Sequence, residues 1–213
     1  MKKRIINLVS GALALMLSGC GGFFGANVTN QKSVDDFFPS KWEKYIDPQT
    51  VVFYLSMGTT QDFSFDMDVS TIKCLEPNAT ELSQYSFTIT GNQKPRKSSL
   101  SSVSLMNFDD DKGMTTPTAA DGIKLSEIDF SQVASNVNKA IEMLKTEGYQ
   151  ADGVSSYDMT FNGNPKETKH RFFVRCKGDT NFGTNNRGAA ALVTKYSEFT
   201  FNADADGNVS VEK

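Results

Sequence analysis

The sequence predicts an α+β fold, mostly antiparallel β-sheet with one main amphipathic helix packed on it. Three observations carry this. Apolar and polar residues alternate with a period of two, as where Phe63, Phe65, Met67 and Val69 are separated by Ser64, Asp66 and Asp68. One segment, about residues 126–147, carries an apolar stripe at helical spacing through Val133, Val137, Ile141 and Leu144. Turn residues at Gly91 to Ser99 and at Asp206-Gly207 join neighbouring strands as hairpins.

In chain order, Gly21 to about Ser33 is rich in Gly, Asn, Thr and Gln and reads as a flexible tether, with residues 34–213 as a single domain. Ser40 to Tyr45 lies between Pro39 and Asp47-Pro48, which predicts one or two helical turns with Trp42 packing them onto the sheet. Thr50 to Met57 is a continuous apolar and β-branched run, the pattern of a buried strand. Tyr85, Phe87 and Ile89 alternate with Ser86, Thr88 and Thr90, and Leu100 to Phe108 is expected to return as the second strand of a hairpin tipped by Lys94, Arg96 and Lys97. The loop from Asp109 to about Lys124 leads into the main helix, which Gly148 ends. Strands are then expected at about Val154 to Phe161, Arg171 to Lys177, Ala191 to Phe201 and Val209 to Glu212.

Alternation also orients the cysteines. In the strand around Arg171 to Cys176, Phe172, Val174 and Cys176 share one face and Arg171 and Arg175 the other. Ile72 and Cys74 likewise share a face opposite Lys73. A disulfide between Cys74 and Cys176 is expected, closing a loop worth about 4 to 5 kcal/mol on the chain-entropy account. No Cys-x-x-Cys occurs, which argues against a thioredoxin-like site and a cysteine zinc site.

The first nineteen residues read as an export signal: Lys2-Lys3-Arg4, an apolar run too short to span a bilayer, then small residues. Leu17-Ser18-Gly19-Cys20 resembles the lipobox of bacterial lipoproteins. That resemblance implies cleavage before Cys20, a diacylglycerol on its thiol and an acylated new amino terminus. Three acyl chains exceed what stable attachment requires. In the lipoproteins it resembles, Asp after the cysteine favours inner-membrane retention; Gly21 stands here, which implies the outer membrane of a two-membrane host. Without Lys2, Lys3 and Arg4, 19 basic residues face 25 acidic ones, a formal charge of −6. An acidic chain gives no electrostatic reason to expect nucleic-acid binding.

The sharpest chemical motif is Asn202-Ala203-Asp204-Ala205-Asp206-Gly207-Asn208, with oxygen ligands at alternate positions as in a calcium loop. The twelfth position is Lys213, and strand-like residues flank the run where an EF-hand has helices. Hence Asn202, Asp204 and Asp206 are weak metal candidates and a hairpin turn is expected. His170, the one histidine, opens a strand with inward parity and is expected at the core edge. No Gly-x-Ser-x-Gly elbow, Ser-x-x-Lys run or phosphate loop is present. The segment Gly178 to Gly188 reads as a mobile polar loop, with Phe182 at its centre and Arg187 near its end as candidate partner contacts.

Residues 126–213, helix then strand, strand and hairpin, resemble the small PepSY-type envelope domains, in which a helix packs on an antiparallel sheet. That resemblance implies binding or inhibition and transfers no functional residue. The expected function is therefore a lipid-anchored, non-catalytic binding or accessory module. It needs no cofactor, is attached to the membrane through Cys20 and has an envelope protein as partner. A hydrolase without a recognisable motif and a calcium-dependent binding domain are the alternatives.

Overall fold

The structure, a computed structural model, describes residues 25–88, 94–100, 117–184 and 190–212, with the backbone alone at 40, 179–184 and 190–195. The elements in order are β1 (Ala26–Asn27), α1 (Gln31–Trp42), β2 (Val51–Gly58), β3 (Asp66–Met67), β4 (Val69–Leu75), β5 (Leu82–Thr88) and β6 (Arg96–Leu100). β7 (Ile123–Lys124), α2 (Val133–Thr146), β8 (Ala151–Thr160), β9 (Lys169–Thr184), β10 (Ala190–Ala203) and β11 (Val209–Val211) follow. The main sheet runs β11-β10-β9-β8-β2-β4-β5-β6, all pairs antiparallel, with β7 added at the start of β2. β1 and β3 form a separate antiparallel pair. The fold is α+β, as the patterning predicts.

Parity decides which face is covered. Leu55 and Met57, Ile72 and Cys74, Tyr85 and Phe87, Tyr157 and Met159, Phe172 and Val174, and Phe201 and Ala203 are buried on one face. On the other face one cross-strand row runs Ser86, Thr71, Ser56, Asp158, Arg171, Asn202, Ser210. Both helices lie on the apolar face. α2 buries Val133, Val137, Ala140 and Leu144. α1 buries Val34, Phe38 and Trp42, whose indole Nε1 donates to Ser70 Oγ at 3.0 Å, so Trp42 fixes this helix to β4. Phe130 fills the space between, 5.5 Å from the Trp42 ring and 6.5 Å from Phe38. Each such side chain contributes about 1.5 to 3 kcal/mol by leaving water.

The structure corrects several boundaries. The end of the expected tether is part of the domain: Ala26 and Val28 are fully buried, and Asn27 Nδ2 donates to Asp66 Oδ1 at 2.9 Å. The first helix starts at Gln31, not near Ser40, and holds Pro39 inside it. Burial of its helically spaced Val34, Phe38 and Trp42 outweighs the lost Pro39 hydrogen bond. α2 starts at Val133 rather than near 126, because Asp129 Oδ1 accepts the Ser131 N–H at 2.8 Å in a turn that sends Phe130 into the core. The alternating run at Phe63 is broken by a turn: Phe63 has φ +54°, and Asp68 Oδ1 accepts the Thr60 N–H at 2.7 Å. Arg96 and Lys97 belong to a strand rather than a turn tip. Asp109–Asp111 and most of Leu100 to Phe108 lie outside the described residues.

The expected Cys74–Cys176 bridge is also corrected. Both are free, buried thiols. Cys74 is in β4 and Cys176 in β9, with β2 and β8 between them. Three strand spacings come to about 14 Å, against the Cα separation of about 4.4 to 6.8 Å that a disulfide needs. Burial pushes the Cys74 thiol up to about 12 and raises that of Cys176.

The segment read as the loop Gly178 to Gly188 is largely strand. β8 pairs with β9 only as far as Cys176, whereas β10 follows β9 out to Thr184, opposite Ala190. Residues 177–184 and 190–196 thus form a two-stranded ribbon extending beyond the sheet. Alternating Thr180, Phe182 and Thr184 supply the β-propensity that the glycines and asparagines obscure.

Candidate functional site

α2 ends where Gly148, at φ +84°, turns the chain back and the Tyr149 N–H donates to Leu144 O at 2.9 Å. That turn sets Tyr149 edge-on against Phe199 of β10, ring centroids 4.7 Å apart. Phe199 has core-facing parity, but the helix ends before covering it, and Tyr149 stands in. Beside them runs an apolar groove of about 480 Å³, lined by Met143, Leu144, Tyr149, Phe199, Phe201 and Val211 along with Thr146 and Glu147. Met143 is 37%, Tyr149 45% and Val211 43% exposed. Its far wall, β11, is a three-residue strand at the sheet edge.

Next to it, where β10 ends, a polar cleft of about 420 Å³ gathers Lys169, His170, Arg171, Asn202, Asp204 and Asn208. His170 is buried, as its parity predicts, and its Nδ1 lies 3.0 Å from the Tyr157 hydroxyl. Asn136 Nδ2 donates to that hydroxyl at 3.0 Å. The hydroxyl proton is therefore left to donate to Nδ1, which assigns the ring proton to Nε2. Burial lowers the His170 pKa to about 4, against the opposing fields of Asp129 and Asp204. Such a ring is a weak base at neutral pH.

The calcium-like run folds as a tight turn. Asp204 Oδ1 accepts the Asp206 and Asn208 N–H groups at 3.0 and 2.9 Å, and its Oδ2 accepts Asn208 Nδ2 at 2.8 Å. These bonds hold its carboxyl below the usual carboxylate range. Gly207 has φ +76°, and a Cβ there would meet Gln132 Oε1 at 2.9 Å. Among the described residues no group of three or more His, Cys, Asp or Glu side chains is placed to hold a metal ion.

The outward arginines are paired rather than offered to a partner. Arg171 forms a two-pronged pair with Glu212 at 2.9 and 3.0 Å, and Arg175 Nε meets Glu198 at 2.7 Å while its guanidinium lies 5.0 Å from the Tyr196 ring. Between β2 and β9, Asp158 accepts the Ser56 hydroxyl at 2.6 Å, and burial raises its carboxyl pKa. Of the sequence-derived contact residues, Phe182 stands opposite Leu192 in the β9–β10 register, and Cys20 and Arg187 lie outside the described residues. The groove was not found from sequence: the Gly148-Tyr149 helix stop was the available signal, but nothing in it places Phe199 alongside.

No protein-family model matches the sequence, and no curated protein matches it. A crystal structure of a "putative lipoprotein" from Clostridium difficile 630 is similar over 89% of this chain and 93% of its own, at 14% identity and a TM-score of 0.42.

Proposed function

We propose that the chain is a lipid-anchored cell-envelope lipoprotein whose folded domain is a non-catalytic binding module, engaging an envelope protein through the groove between α2 and β10–β11. The groove carries the reading: it is apolar, open and rimmed by exposed Met143, Tyr149 and Val211, the composition of a pocket for anchor side chains. A volume of about 480 Å³ falls within the range of binding clefts. The polar cleft supports the same conclusion from the other direction. Its Asp204 and Arg171 are spent on their own turn and on Glu212, and burial keeps His170 neutral beside the Tyr157 hydroxyl. The anchor rests on Leu17-Ser18-Gly19-Cys20, and outer-membrane placement on Gly21.

The test is photo-crosslinking in living cells with a benzophenone amino acid replacing Tyr149 or Val211, and Glu81 as the control position. One dominant protein adduct, formed from both groove positions and lost with Met143→Asp, is the expected result. Groove adducts no stronger than those from position 81 would overturn the reading.

A further inference from the structure

We infer that the groove takes its partner as an added β-strand: an extended segment that hydrogen-bonds to the free edge of β11 and lies between that edge and α2, with an acidic, an apolar and a basic residue at alternate positions facing the helix. The inference rests on the groove reading and deepens it by naming the shape and chemistry of the segment bound.

Backbone parity exposes the edge. β11 pairs with β10 on one side, and among the described residues no strand pairs with it on the other. The Glu212 N–H donates to Thr200 O at 2.9 Å, and the Asp204 N–H to Asn208 O at 3.3 Å. Peptide groups alternate in direction along a strand, so residues 208, 210 and 212 turn theirs toward β10 while Val209 and Val211 turn theirs outward. This row of N–H and C=O groups is satisfied by a second extended backbone; a helix, whose own groups are paired internally, does not satisfy it. The two edges of the sheet also differ in sequence. β6, at the far edge, opens with Arg96 and Lys97, charges that discourage strand pairing, whereas β11 reads Val-Ser-Val.

The helix supplies the second wall. Val209 lines a cleft with Lys139, and Val211 lines the apolar groove with Glu147. Met143 and Thr146 line both, so the two form one channel along α2. Lys139, Met143 and Glu147 stand four residues apart, hence about 6 Å apart along the helix. Alternate residues of a strand are about 6.8 Å apart. A strand laid in the channel therefore sets three successive same-face side chains over these three. Lys139 is fixed there by its bond to Gly207 O at 2.7 Å, and Met143 is 37% exposed. Glu142 and Lys145 neutralise each other at 3.5 Å. The charges that a ligand meets are thus Lys139 at the Val209 end and Glu147 at the Val211 end, with Met143 between them, which calls for an acidic, an apolar and a basic residue in that order along the channel.

The test is photo-crosslinking in living cells from a benzophenone amino acid at position 149 of the full-length acylated protein, carrying Val209→Pro, Val209→Thr or Glu147→Lys. Proline removes the outward N–H and spares the bonds to β10, whereas threonine keeps that N–H. The dominant partner adduct is expected to fall at least about fivefold in Val209→Pro and about threefold in Glu147→Lys, but less than about twofold in Val209→Thr. Tandem mass spectrometry of the adduct is expected to place the joined residue in a segment with the acidic, apolar and basic alternation. An undiminished adduct in Val209→Pro, with Tm close to wild type, overturns strand addition and leaves the groove reading standing. Where Val209→Pro does not fold, the exposed Glu147→Lys decides, and an undiminished adduct there overturns the inference. A second copy of this chain as the adduct overturns it as well. Absence of a dominant adduct in the wild type overturns the groove reading and the inference with it.

Discussion

At neutral pH His170 is buried and neutral, and acid should unfold the protein through it. Its folded pKa of about 4 lies below the ordinary histidine value of 6.5 that the unfolded chain restores. Between these values the unfolded state binds the proton and the folded state does not, so stability falls as pH falls. Linkage over this window gives a loss of about 2 kcal/mol between about pH 7.5 and about pH 5, approaching about 3 kcal/mol near pH 4. Asp158 works in the opposite sense: its raised carboxyl pKa stabilises the fold as pH drops. The contribution of His170 must therefore be read as a difference, from urea midpoints of wild type and His170→Gln across this range. The wild-type curve should lose about 2 kcal/mol more than the variant between the two pH values, whatever the variant's stability at pH 7.5. Parallel curves would refute the buried neutral histidine.

Three further outcomes follow from the same geometry. Tyr157→Phe leaves Asn136 Nδ2 and His170 Nδ1 buried without their shared partner, and should cost about 1 to 3 kcal/mol in chemical denaturation; a neutral effect would contradict the network. Gly207→Ala meets both a left-handed φ and the Gln132 side chain, and should destabilise by about 1 to 2 kcal/mol, measured as a lowered Tm; unchanged Tm would contradict the turn. Ellman's reagent should find no reactive thiol in the native acylated protein and two after denaturation without reductant, since Cys74 and Cys176 are buried and unbridged; none after denaturation would restore the disulfide.

What the sequence made legible is what depends on neighbours along the chain. Parity placed Phe172, Val174 and His170 inward and Arg171 and Arg175 outward, and Asp206-Gly207 marked its turn. What it hid depends on strand order. The same parity turned both cysteines inward, but nothing along the chain tells that β2 and β8 separate them. Ala26 to Val28 is too short for a periodic signal, and its burial arises from pairing with a segment forty residues away. The groove exists because α2 stops before it covers Phe199, which composition does not encode. The ribbon was read as a loop because Gly and Asn residues interrupt a strand held by its partner alone.

The anchor at Cys20 underlies the placement proposed for the domain. Intact-mass and peptide mass spectrometry of the protein from the membrane fraction tests it directly. The account predicts a mature chain beginning at Cys20, with lipid on its sulfur and an acyl group on its amino nitrogen. A chain recovered from the soluble fraction with an unmodified Cys20, or cleaved at another position, would contradict it.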